Sequence, residues 1–273
     1  VASISGGGLY TNASISCKIY DSVFRNNSAL SANGGGAYLV SSLTSSNSGR
    51  RSAFFSNLSF VDNSAMNGGG GGIFRSGNVS VTVWNSSFWS NTGLEGGGLY
   101  LVNGSSAFTN VSLISNDGLE DGGGLIASEE ESLVMKSCRL RGNSAGEAGG
   151  ALHVSHGAQV QASGTMYSEN VAYGSLVGGG ALYADTGSTV SCEGDLFESN
   201  RASQGSGGGV YMNGLSELTC SSCLIQNNTA YSDGGGLYTV SWKMSFSNGS
   251  KFLNNIALNG DGGGVYCHNR FGR

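Results

Sequence analysis

Ten times along the chain a short run of glycines is followed, two residues on, by a single mostly aromatic column. That column reads Tyr10, Tyr38, Phe74, Tyr100, Ile126, His153, Tyr183, Tyr211, Tyr238 and Tyr266, at intervals of 26 to 36 residues. A second phrase falls between successive glycine runs, as in FRNNSA (24–29), FVDNSA (60–65), LRGNSA (140–145) and FESNRA (197–202). It consists of a large apolar residue, two variable residues, Asn, one variable residue and a small one. Self-similarity at such a period identifies one structural unit stacked on copies of itself.

Within each unit the apolar period is two. Valines alternate with Ser and Thr in VSVTV (79–83), and Ile15, Cys17 and Ile19 alternate in the same way. Leu133 with Met135, Val190 with Cys192, and Leu218 with Cys220 continue the pattern. A period of two marks strands with one buried face, and no stretch has the 3.6 period of an amphipathic helix. Two or three short strands per repeat predict an all-β fold, a parallel β-helix of about ten coils. The expectation is one domain over residues 1–273, uncapped at both ends, since the sequence starts shortly before one glycine run and stops just after another.

The repeated residues then have mechanical roles. Asn27, Asn63, Asn91, Asn116, Asn143, Asn170, Asn200, Asn228 and Asn255 are expected to superpose as a ladder at a tight turn, where Asn tolerates left-handed backbone. The large apolar residue three positions earlier would fill the core beside it. The glycines supply positive φ and close backbone approach at a corner. They are not a phosphate loop, because no Gly-Lys-Ser/Thr ending follows them.

Composition removes further classes. Of 273 residues 48 are Gly and none is Pro, yet 38% are apolar and 11% charged, which is not the profile of a disordered chain. The formal net charge of −5 leaves no basic footprint for nucleic acid. No apolar run approaches the roughly 18–20 residues that span a bilayer. The Ser/Thr-rich, Lys-poor surface suits an extracellular setting.

These motifs resemble the repeats of the polymorphic outer membrane protein family. The resemblance rests on GGAYL (35–39), GGALY (179–183), FVDN (60–63) and FESN (197–200), and runs through the whole chain. It implies a right-handed parallel β-helix displayed outside the cell, acting in adhesion or surface structure. The glycine phrase departs from the family pattern in being mostly GGG rather than GGA, and this stretch holds no counterpart of the family's β-barrel anchor.

Acceptor sequons for N-linked glycans occur at Asn12, Asn26, Asn57, Asn78, Asn85, Asn103, Asn110, Asn227 and Asn248. Asn57, Asn85 and Asn110 each lie six residues before a ladder Asn, which places them in one outward row. The alternative is coincidence in turns rich in Asn and Ser. The aromatic column follows an inward residue and is expected to face out. It is then either ordinary strand propensity or a flat stripe that packs on another chain or on sugar rings.

Of six cysteines, Cys192 and Cys220 share a phase on adjacent coils, and a disulfide between them is expected; the alternative is buried thiols. Cys220 and Cys223 form a single C-x-x-C, which is too little for a zinc site. No metal or small-molecule cofactor is expected. Glu95, Asp121 and Glu147 precede glycine corners as near neighbours, and either bind a cation or splay into solvent. The run Glu129–Glu131 reads as a solvated loop. Asp185 and Asp195 lie on one coil but apart, the histidines fall near exposed strand ends, and no catalytic set can be assembled from the spacing.

The leading functional expectation is a non-enzymatic extracellular structural glycoprotein, the repeating subunit of a fibre or surface layer assembled head to tail with itself. The alternatives are a surface adhesin or carbohydrate-binding module using the Tyr face, and a polysaccharide-active enzyme.

Overall fold

The computed structural model describes residues 6–12, 16–41, 51–241 and 243–268, so the expectation for Ile15 lies outside the described residues. Every pairing between strands is parallel, and the strands form four stacked sheets of ten, nine, nine and eight strands. The first sheet follows the glycine corners, from Leu9–Asn12 to Val265–Cys267. The second runs from Cys17–Tyr20 to Lys243–Ser247, and the third from Val23–Arg25 to Lys251–Leu253. The fourth runs from Ser64–Gly69 to Ile256–Ala257. The chain visits the four in turn and climbs one rung, about 4.8 Å, on each circuit. It is a parallel β-solenoid.

The alternation read in the sequence sets which side chains enter the core. Val79, Val81 and Val83 are buried while Ser80 and Thr82 between them are not. Register holds like over like: Phe60, Phe88 and Leu113 are successive partners in the third sheet. The aromatic rings of this column stack at centroid separations of 4.7 Å for Phe24–Phe60, 4.8 Å for Phe60–Phe88 and 4.6 Å for Tyr167–Phe197. Such stacking adds to the burial of the rings themselves.

Four kinds of corner turn the chain, and the one from first to second sheet bends at left-handed residues such as Asn103, Glu129, His156 and Thr186. At the glycine corner the first Gly is left-handed, as Gly149 is at φ 67. The second has no room for a side chain, since a Cβ on Gly123 would lie 2.1 Å from the Ser144 carbonyl oxygen. The third position accepts alanine, which Ala151 and Ala181 supply with full burial. A single left-handed residue makes the bend from second to third sheet, among them Asn57, Asn85, Asn110, Ser137 and Gly164. Another makes the bend from third to fourth, among them Asn26, Asp62, Ser90, Ser115 and Asn227.

This last column corrects the expectation for the ladder. The left-handed residue is the one before each ladder Asn, and none of the nine ladder asparagines has positive φ. The bend throws the following Asn side chain inward, and its amide then bonds along the stack.

Candidate functional site

The asparagine stack is continuous from Asn27 to Asn255. Asn91 is typical: its side-chain Nδ2 donates to Asn116 Oδ1 on the next coil at 3.0 Å and to the Phe60 carbonyl on the previous one at 3.0 Å. Its backbone N–H also donates to Asn116 Oδ1, at 3.0 Å. Asn27 to Asn63, Asn63 to Asn91, Asn116 to Asn143, Asn143 to Asn170, Asn170 to Asn200, Asn200 to Asn228 and Asn228 to Asn255 repeat the amide-to-amide link. Each buried amide is therefore satisfied by its neighbours, which is what lets so polar a residue stand inside the core.

The aromatic column superposes but is not the exposed stripe that alternation implied. Tyr10 and Tyr38 stack at 5.5 Å, Tyr38 and Phe74 at 5.2 Å, Tyr211 and Tyr238 at 4.7 Å, and Tyr238 and Tyr266 at 5.4 Å. Phe74 is 7% exposed, Tyr183 5% and Tyr211 7%. Tyr38, Tyr100, Tyr238 and Tyr266 are half-buried, and only Tyr10, on an end coil of the described region, is exposed. The cause is the segment feeding each glycine corner, which folds over the outer face. Ala148 and Val177 pack on Tyr183, Tyr211 and Tyr238, and a Cβ on Gly69 would meet the Tyr100 ring. Alternation fixes a side chain's face, whereas its exposure depends on what crosses that face.

Carboxylates edge the same column. Burial, and then the charges of Asp121 and Glu120, raise the Glu95 carboxyl above its ordinary range. Burial and then Glu95 push the Tyr100 hydroxyl up in turn. His153, expected near an exposed strand end, is buried, with Nδ1 3.4 Å from Asp121 Oδ1. Asp121 also accepts a hydrogen bond from the Ala148 N–H at 3.0 Å. Among the described residues no group of three or more His, Cys, Asp or Glu side chains is arranged to hold a metal ion.

All nine sequon asparagines are exposed. Seven of them, Asn26, Asn57, Asn85, Asn103, Asn110, Asn227 and Asn248, are also left-handed; Asn12 and Asn78 are not. Asn57 Nδ2 donates to Asp21 Oδ1 at 2.9 Å, and Asn110 Nδ2 to Asn85 Oδ1 at 2.8 Å. The corner thus has its own use for Asn, which visits left-handed backbone more readily than other side-chain-bearing residues. This accounts for the row without reference to glycans.

All six cysteines are free thiols, so the expected Cys192–Cys220 disulfide is not formed here. The pairing in phase is present: the two are register partners on adjacent strands, both buried. Cys223 joins them from the next corner, its Sγ 3.5 Å from the Cys192 carbonyl oxygen. Asp195 is buried, and its Oδ1 accepts a 2.7 Å hydrogen bond from the Thr165 N–H. Asp185 is only half-buried, on the other side of the Thr189–Glu193 strand. The two do not form a catalytic pair.

Two features escaped the sequence reading. Glu131, read as part of a solvated loop, is fully buried and ion-paired with Arg75, which occupies an inward place between its partners Leu39 and Leu101. An arginine at an inward place with a leucine on each neighbouring coil was the available signal. The second is a set of exposed apolar residues one place past the small residue of each Asn phrase: Leu30, Met66, Leu119, Tyr173, Tyr231 and Leu258, with half-buried Leu94, Gly146 and Ser203 at the same place on the remaining coils. Its alignment follows from the fourth-sheet register and the bonds that continue it, such as Tyr231 N–H to the Ala202 carbonyl and Leu258 N–H to the Ala230 carbonyl. The signal was the residue just past the small one of the Asn phrase.

Among the described residues no helix is long and apolar enough to cross a membrane, which does not bear on crossing by strands. No curated protein and no solved structure matches the chain. Residues 222–240, which carry the ladder asparagine Asn228 and the corner Gly234–Gly236, match the family model of the Chlamydia polymorphic membrane protein repeat, so this coil of the solenoid is similar to that repeat.

Proposed function

We propose that the chain is a non-enzymatic structural protein of a cell surface, a stiff rod that packs with copies of itself into a fibre or layer and carries N-linked glycans on its corners. The observation carrying this reading is the unbroken amide stack from Asn27 to Asn255, which ties every described coil to the next. A rod of this kind presents one residue type repeatedly along each face. The exposed apolar residues from Leu30 to Leu258, broken by Gly146 and Ser203, line one such face, and an extended apolar face is unusual on a protein that stays alone. The match to a polymorphic membrane protein repeat supports the surface location.

Electron microscopy and sedimentation of the purified chain test the proposal. Ordered filaments or sheets are expected, and Leu119→Ser with Tyr173→Ser and Tyr231→Ser should return the protein to monomers without unfolding it. Wild-type protein that stays monomeric at high concentration would overturn it.

A second reading, a carbohydrate-binding adhesin, is favoured by one observation. Trp84 and Trp89 are both exposed on one coil, either side of the Asn85 corner, where flat rings suit sugar faces. Binding on a glycan array that Trp84→Ala and Trp89→Ala abolish would favour it over self-assembly.

A further inference from the structure

Two successive coils bring three thiols and a carboxyl group together in the core. Cys192 and Cys220 are register partners, both pointing inward. The chain then bends at Ser222, φ 56, and the bend turns the Cys223 side chain back into the interior. Cys223 Sγ points at the Cys192 carbonyl oxygen, 3.5 Å away, and the neighbouring thiols of Cys220 and Cys223, then burial, hold the Cys192 pKa well above the ordinary thiol range. Asp195 stands directly below Cys223, since the Leu224 N–H donates to the Asp195 carbonyl. Its Oδ2 and the nearby Tyr167 hydroxyl are buried without hydrogen-bond partners.

The neighbouring coils show that the fold itself does not require thiols here. The inward place of Cys192 and Cys220 is Met135 and Ala162 on preceding coils and Phe246 on the following one. The place of Cys223 is Asp195, Thr165, Cys138 and Val111 on the four preceding coils and Ser250 on the next, where Ser250 Oγ accepts the Cys223 N–H at 3.1 Å. Any packing residue serves at the first place, and the second takes apolar, hydroxyl, carboxyl and thiol side chains alike. Three buried cysteines gathered on two successive coils need a different account.

We propose that Cys192 is the shared half of an internal disulfide that locks these two coils together, pairing with either Cys220 or Cys223 and leaving the third thiol reduced. The oxidant is a small-molecule disulfide of the glutathione class, acting while the coils are still open. It exchanges with Cys220 or Cys223, giving a mixed disulfide and one released thiol. As the coils stack, the Cys192 sulfur attacks the protein sulfur of that mixed disulfide, the external S–S bond breaks, and the Cys192 proton leaves with the second released thiol. Two protein thiols are oxidised and one external disulfide is reduced to two thiols. Once closed, the bond lies in the core, out of reach of exchange.

The test is refolding of the whole chain in a glutathione redox buffer, alkylation of the remaining thiols, and mapping of linked peptides by mass spectrometry. The wild type is expected to lose two thiols, with the Cys192 peptide joined to the peptide holding Cys220 and Cys223. Cys220→Ala and Cys223→Ala should each keep one link to Cys192, and Cys192→Ala should keep none. The oxidised wild type should unfold at higher urea than the reduced protein. Cys192 recovered fully alkylated from the wild type would overturn the proposal, as would a Cys220–Cys223 bridge persisting in Cys192→Ala.

Discussion

The Arg75 guanidinium donates through Nη2 to the Glu131 carboxylate two coils above it, and both side chains are fully buried. Ser106, on the coil between, donates to the same carboxylate oxygen at 2.7 Å and accepts from Arg75 at 2.8 Å. The Val102 carbonyl takes a further Arg75 N–H at 2.8 Å. Three coils are thus clamped by one charge pair whose arginine stands between Leu39 and Leu101 in its column.

Breaking that pair from one side leaves a charge stranded in the core. Glu131→Ala should cost about 3–5 kcal/mol of unfolding free energy, whereas replacing both partners with leucine should cost far less or even stabilise. Urea unfolding of the single and double variants measures both. If Glu131→Ala and the double variant are equally destabilised, the clamp is not acting as a pair.

The asparagine stack makes a similar forecast with a positional control. Asn116→Ala removes the acceptor of two Asn91 hydrogen bonds and the donor to the Phe88 carbonyl. Orphaned buried groups cost about 1–3 kcal/mol each, so a loss of roughly 4 kcal/mol is expected. Asn255 accepts the same two bonds from Asn228, but is less buried in an end coil of the described region. Asn255→Ala should therefore lose less than half as much. Amide exchange at Asn91 should quicken in Asn116→Ala and stay unchanged in Asn255→Ala.

These two sites also show what the sequence could and could not reveal. The stack was legible because its chemistry is one residue type at one phase, and like over like is what a solenoid imposes. The Phe60–Phe88 core was legible for the same reason. Arg75 and Glu131 are 56 residues apart and differ in position within the repeat, so only the stacked coils bring them together. The burial of Tyr183 and Tyr211 was hidden too. Period two correctly placed those rings on the outer face, but Ala148 and Val177 belong to a segment without regular period. The left-handed residue was misplaced by one because Asn both tolerates that backbone and forms ladders. Here the two tasks fall to neighbours, such as Ser90 and Asn91.

Corner geometry also limits glycosylation. Asn57, Asn85 and Asn110 lie on three successive rungs, about 4.8 Å apart, closer than the width of a sugar ring with its hydroxyls. In a host that glycosylates the chain, glycopeptide mass spectrometry should find Asn57 and Asn110 occupied together, or Asn85 alone. All three occupied on one molecule would contradict this. Asn85→Gly should leave thermal stability nearly unchanged, because glycine meets the φ of 47 without strain, while Asn85→Ala should cost about 1 kcal/mol.

Asp195 gives the chain a specific pH dependence. Burial raises its carboxyl to about 7, against about 3.9 in an unfolded chain. Between these values the folded state holds a proton that the unfolded state has released, so stability falls as pH rises from about 4 to about 7 and is level above that. The full difference is roughly 4 kcal/mol at 1.36 kcal/mol per unit. Asn in this place still accepts the Thr165 N–H through its side-chain oxygen and carries no charge to bury. Asp195→Asn should therefore match the wild type near pH 4, exceed it above pH 7, and lose the slope between. Urea midpoints across that range decide it: parallel curves for the two proteins would mean that Asp195 enters the folded core already ionised.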